Sequence, residues 1–181
     1  EGDYAKAQDI IREKGKLVAA KRADRSATEG VVVSKIVGQK GYMLCLACET
    51  DFVAKNSEFS ATANEILDIA IAADAADLEA LNAVAADGRT VADKVTEKSG
   101  QTGEKVELVY YAKIEAPMCV TYIHTNHKLG TLIGFNKEIG MEVAKDVAMQ
   151  AAAMAPISIS REDCDPAVIE HERSIGREQA R

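Results

Sequence analysis

Two cysteines in Cys45-Leu46-Ala47-Cys48 and two histidines, His124 and His127, have the types and spacing for thiol redox or zinc chemistry. A thioredoxin-type C-x-x-C wants its first cysteine at a helix N-terminus, where the thiolate is stabilised. Both cysteines instead fall inside an apolar run that reads as a strand, and an offset of three puts them on opposite faces. For zinc, the same offset parts the two sulfurs, and His-x-x-His is tighter than the usual spacing of roughly three to five intervening residues. There is no nucleophile-elbow serine, no Gly-rich phosphate loop and no histidine with an orienting acid close in sequence. Four unrelated Cys and His residues are the expectation, with no metal site, no cofactor and no enzyme.

A different kind of chemistry is offered by Cys48-Glu49-Thr50-Asp51-Phe52-Val53-Ala54-Lys55-Asn56. The stretch follows a strand-like run and precedes a strongly periodic helix. Thr50, Asp51, Phe52 and Val53 therefore stand at a corner where a rigid scaffold can present them outward. Taken from the residues alone, a Phe at a helix start is a core residue, often half of a hydrophobic staple.

The elements around that corner follow from pattern. Runs 30–37 and 42–48, joined by Gly38-Gln39-Lys40-Gly41, predict a β-hairpin. The second run is apolar on both alternating faces, so both faces of that strand should be covered. Phe59, Ala63, Ile66, Leu67, Ala70 and Ala73 form one helical stripe, with Asn56 or Ser57 as N-cap. Shorter helices are expected at 77–86 and 90–98, the second ended by Gly100-Gln101-Thr102-Gly103. A strand over 106–115 and a hairpin of 118–124 and 129–135 come next. A helix over 137–154 is apolar on two sides, through Val143 and Val147 and through Ala144 and Ala148, so it is buried between elements or carries an interface. Asp165 and Pro166 mark a last helix.

At the start, Gly2-Asp3 should cap a helix over 4–14, with Tyr4, Ala7, Ile10 and Ile11 on one face and Gly15 as its stop. Residues 16–25 read as a solvated basic linker helix. The expected class is α+β, antiparallel hairpins packed with helices. The expected division is residues 1–29 as the end of a helical N-terminal domain and linker, 30–136 as a core subdomain, and 137–181 as the start of another. Too little apolar surface at the first and last helices suggests a fragment cut at both ends.

Bulk properties narrow the function. The 181 residues are 47% apolar and 28% charged, an ordinary globular composition. A net charge of −7 argues against a general nucleic-acid binder, which needs a basic footprint. It leaves room for a protein partner with a complementary patch. No apolar run reaches the roughly 18 residues of a membrane helix, and no signal peptide opens the sequence. Four irregularly spaced cysteines fit a reducing compartment, the cytoplasm.

The corner motif resembles the signature of the elongation factor Ts family. The similarity extends over nearly the whole chain: Glu1-Gly2-Asp3-Tyr4 to Gly15, the corner from Cys48 to Phe59, His124 with Lys128-Leu129-Gly130, the helix segment from Val143 to Met149, and Ser160-Arg161-Glu162-Asp163. Gln150 departs from the pattern, standing where a His is often found. The resemblance implies a guanine-nucleotide exchange factor that binds the translational GTPase elongation factor Tu in its GDP-bound and nucleotide-free forms. It implies that Asp51 and Phe52, within Thr50 to Val53, insert beside the GTPase's magnesium site, Phe52 as a wedge. His124, Leu129 and Gly130 would form a secondary contact from the neighbouring turn. The alternative is an interaction module that exchanges nothing.

Overall fold

The computed structural model describes residues 3–180. Glu1, Gly2 and Arg181, and the side chains of Tyr4 and Ala5, lie outside the described residues. Helix α1 (Tyr4–Lys21) begins at Asp3, whose carboxylate accepts the Lys6 N–H at 3.1 Å. The expected stop at Gly15 is absent, and the helix carries the basic segment on to Lys21. Its inward face differs from the expected one: Ala7 and Ile10 are exposed, while Gly15 is buried with Ile11, Val18 and Ala19 partly so.

Strands β1 (Glu29–Val37) and β2 (Lys40–Cys48) form the predicted hairpin, with Val37 opposite Lys40. The two-residue turn Gly38-Gln39 has φ +60° at its first central position only, which glycine adopts without strain. On its other side β2 pairs antiparallel with β5 (Glu107–Glu115), so β2 is central in a sheet of order β1-β2-β5.

Both faces of β2 are covered, as its double apolar pattern predicts. Tyr42, Leu44, Leu46 and Cys48 face helix α3 (Ser57–Ala73), whose Phe59, Ala63, Ile66, Leu67 and Ala70 complete the main core. Of the expected stripe only Ala73 stays exposed. Against the other face lies the hairpin of β6 (Met118–Ile123) and β7 (Gly130–Phe135). The approach is so close that a Cβ on Gly41 would sit 2.5 Å from the Leu132 side chain. Helix α6 (Met141–Met154) covers the hairpin's outer side with Ala144 and Ala148, and the Thr131 hydroxyl donates to the Ala148 carbonyl at 2.7 Å. Small side chains let helix and hairpin approach closely. The Val143 and Val147 side of α6 remains exposed.

Three further expectations change. The helix expected at 77–86 is only α4 (Leu78–Ala83); after it, β3 (Ala85–Ala86) and β4 (Arg89–Thr90) make a small hairpin. Its turn is Asp87-Gly88, both with positive φ (54° and 76°), the mirror-image turn that Asp-Gly favours. Helix α5 (Val91–Thr102) runs through Gly100 and closes at Gly103, with a Thr90/Asp93 capping box at its start. Helix α6 starts at Met141, not 137. Helix α7 (Pro166–Gln179) has the expected Asp165 cap and Pro166 start. Antiparallel strands interleaved with helices confirm the α+β class. Among the described residues no helix is long and apolar enough to cross a membrane.

Candidate functional site

The chain leaves β2 at Cys48 and turns into a separate one-turn helix, α2 (Asp51–Ala54), before α3 begins. Thr50 caps α2, its hydroxyl oxygen accepting the Val53 N–H at 3.4 Å. Asn56 caps α3, accepting the Glu58 N–H at 2.8 Å. Two caps in succession hold the corner as two short rigid steps.

Phe52 points into solvent and is 83% exposed. The core role expected from composition belongs instead to Phe59, which is 1% exposed. The difference is directional. Val53 and Ala54 are the residues of α2 that pack against the core, so Phe52 faces outward. Asp51 pairs with Lys55 at 2.6 Å one turn along, and that ammonium holds its carboxyl below the ordinary carboxylate range.

Beneath the corner is a clasp that no local sequence pattern announced. The Glu104 carboxylate accepts the Glu49 and Thr50 backbone N–H groups, each at 3.1 Å, and the Thr50 hydroxyl at 2.6 Å. In return the Glu49 carboxylate accepts the Lys105 N–H at 2.6 Å and is paired with Arg22 at 2.7 Å. Those bonds, the Lys105 N–H first and Arg22 after it, hold the Glu49 carboxyl below its ordinary range. The Lys105 ammonium donates to the Ala23 and Arg25 carbonyls, both at 3.2 Å, which ties the segment after α1 to the same point. The partners lie far apart in sequence; an acid directly after the helix-closing Gly103 is the only local hint.

Of the secondary residues, His124 is exposed, with Nδ1 2.9 Å from the Tyr122 hydroxyl and its backbone N–H donating to the Leu129 carbonyl at 2.8 Å. Leu129 is 43% exposed. Gly130 is where the hairpin meets the sheet: a Cβ there would come within 2.9 Å of the Val32 side chain. The His127 carbonyl accepts the Val32 N–H at 2.7 Å, fixing the β6–β7 turn against β1. Lys128 pairs with Glu29.

A groove of about 780 Å³ joins the two predicted regions. Asp51, Lys55 and Asn64 line it from the α2–α3 side, and Asn126, His127 and Lys128 from the β6–β7 turn, with β1 between. Asp51 and Lys128 thus share one concavity, and the exposed Phe52 and Leu129 are their immediate neighbours in sequence.

The cysteines stand as the three-residue offset implies. Cys48 faces the main core and Cys45 the other side of β2, and both are free thiols. Burial pushes both thiols up, Cys48 to about 12, which opposes the thiolate a redox site requires. Among the described residues no three His, Cys, Asp or Glu gather into a group that could hold a metal.

Residues 49–181 match the family described as Elongation factor TS. Over 179 residues, 98% of this chain and 65% of the relative, the sequence is 46% identical to elongation factor Ts of Porphyromonas gingivalis. It is 42% identical over 181 residues to that of Azobacteroides pseudotrichonymphae, covering 99% of this chain and 66% of the relative. To that of Bacteroides thetaiotaomicron it is 43% identical over 182 residues, all of this chain and 55% of the relative. The chain thus spans between half and two-thirds of these relatives' length.

Proposed function

Because the chain belongs to the elongation factor Ts family, we propose that it acts in translation elongation as a guanine-nucleotide exchange factor for elongation factor Tu. It would promote GDP release by setting Asp51 and Phe52 beside the GTPase's magnesium site. The observation that carries this reading is Phe52, 83% exposed at the tip of a doubly capped corner. A large ring held rigidly in water has its burial free energy still to gain, and a partner can supply the cavity.

The mechanism needs no covalent step and no catalytic residue. The factor accelerates release because it binds the nucleotide-free GTPase more tightly than the GDP-bound form. Linkage then makes nucleotide and factor weaken each other by the same factor. Burying one Phe is worth roughly 1.5–3 kcal/mol, about a tenfold to hundredfold effect at about 1.4 kcal/mol per decade. Displacement of the magnesium ion, with contacts from His124, Leu129 and Gly130, supplies the rest. The shared groove supports treating both regions as one surface. The site of action would be the cytoplasm, with no direct contact to nucleic acid or membrane.

Stopped-flow release of labelled GDP from elongation factor Tu tests the proposal. Release that accelerates with added protein and saturates is expected. Binding without acceleration would instead establish a non-exchanging interaction module.

A further inference from the structure

Glu104 lies outside the Thr50–Val53 segment assigned to the partner, yet its carboxylate accepts three hydrogen bonds from the corner. Its Oε2 accepts two consecutive backbone N–H groups, from Glu49 and Thr50, and its Oε1 accepts the Thr50 hydroxyl. The last bond has a consequence for α2. A hydroxyl that gives its proton to Glu104 keeps its lone pairs for the Val53 N–H, which is the cap that starts the helix carrying Phe52. The carboxylate therefore fixes both the backbone entering α2 and the orientation of the group that caps it.

The clasp is reciprocal, since Lys105 donates its own N–H to Glu49. Two segments exchanging charge-assisted bonds across the end of β2 cannot slide without losing all of them together. Strand β5 begins two residues beyond Lys105 and pairs with β2 itself, so the anchor belongs to the sheet, not to a loose loop.

Resting on the exchange reading above, we infer that Glu104 is a positioning residue for nucleotide exchange, holding the Asp51-Phe52 tip in the orientation the partner meets. Its removal should act on how well the tip is ordered before binding, because a disordered tip pays its ordering entropy at the moment of docking.

The chain contains no tryptophan, so Phe52→Trp places a single indole reporter at the tip. In that background Glu104→Ala is expected to enlarge the amplitude of fast indole motion in time-resolved anisotropy, while far-UV circular dichroism is retained. In the otherwise unaltered protein, Glu104→Ala should lower the saturating rate of GDP release about tenfold, the size of one charge-assisted hydrogen bond. Glu104→Gln keeps an oxygen for the two N–H groups but turns an NH₂ toward the Thr50 hydroxyl, and should fall between the two. If Glu104→Ala loses its folded circular dichroism, Glu104→Gln decides alone, its indole amplitude and release rate read against the parent. Unchanged anisotropy and release in the deciding variant, with exchange lost in Phe52→Ala, would overturn the inference and leave the exchange reading standing. Exchange undiminished in Phe52→Ala as well would overturn the wedge that both rest on.

Discussion

Gly15 and Gly100 touch backbone to backbone where α1 crosses α5. A Cβ on Gly100 would lie 2.7 Å from the Gly15 nitrogen and 2.8 Å from its Cα, and a Cβ on Gly15 would lie 2.3 Å from the Thr96 carbonyl oxygen. The obstacles are backbone atoms, which cannot rotate away. Alanine normally gains about 1 kcal/mol over glycine inside a helix. Forcing a methyl into a filled contact costs roughly 1–3 kcal/mol. Gly100→Ala should therefore lower the melting temperature and reduce hydrogen-exchange protection in α1. Gly176→Ala in α7, where nothing lies within 4 Å of the added carbon, should do neither and is the control.

The same pair explains where the sequence misleads. A glycine after a short periodic run reads as a stop, and both Gly15 and Gly100 carry that signature. Each is instead a gap cut for the backbone of the other helix, Gly15 for Thr96 and Gly100 for Gly15, a property of two helices that neither sequence segment contains. Where a signal was local it was legible: the Asn56 and Asp165 caps, the Phe59 stripe, and β2 covered on both faces all followed from pattern. The Asp87-Gly88 turn was also local, but the helical run before it masked it. The corner divides along the same line. The placement of Thr50 to Val53 between strand and helix could be read from the residues. The outward direction of Phe52 could not, because it depends on which side of α2 meets the core. Nor could the Glu104 clasp, which joins segments more than fifty residues apart in sequence.

Phe52 and Phe59 offer a matched contrast within one short stretch. Phe52→Ala should leave stability within about 0.5 kcal/mol, as surface substitutions do, while lowering the rate of GDP release about tenfold or more. Phe59→Ala removes a ring from the centre of the main core and should cost roughly 3–5 kcal/mol. Urea denaturation of both variants, beside GDP release for the folded one, checks the pair. Loss of stability in Phe52→Ala would return that ring to the core.

Acid should loosen the far end of α3. Asp74, in left-handed conformation at that helix's C-terminus, accepts from Lys40 at 3.0 Å, Tyr42 at 3.0 Å and Lys113 at 3.2 Å, joining α3 to β2 and β5. Those partners, Lys40 first, hold its pKa at about 2 against an ordinary 3.8. A depressed folded value means the unfolded chain takes up the proton first as pH falls. The stabilisation is therefore complete above the ordinary value and is lost on descending to about 2. Asp74→Asn keeps a residue tolerant of the left-handed region. The melting temperature of wild type should exceed that of the variant at neutral pH, with the gap closing across that acid window.

Thr50 separates capping from mere bulk. Thr50→Ser retains the hydroxyl that donates to Glu104 and accepts from Val53, so both bonds survive. Thr50→Val keeps nearly the same volume but removes both, leaving the Val53 N–H without its cap. Loss of an N-cap costs about 0.5–2 kcal/mol. In a helix of one turn that is enough to unwind it, since so short a segment has almost no helical stability of its own. The serine variant should exchange GDP within about twofold of wild type, and the valine variant should lose about tenfold, with the global unfolding free energy lowered by about the 0.5–2 kcal/mol of the lost cap. Amide exchange at Val53 and Ala54 reads the same event directly: protection should persist with serine and vanish with valine. Equal activity in the two variants would mean that the tip is ordered by its contacts to the core through Val53 and Ala54, and that the cap is dispensable.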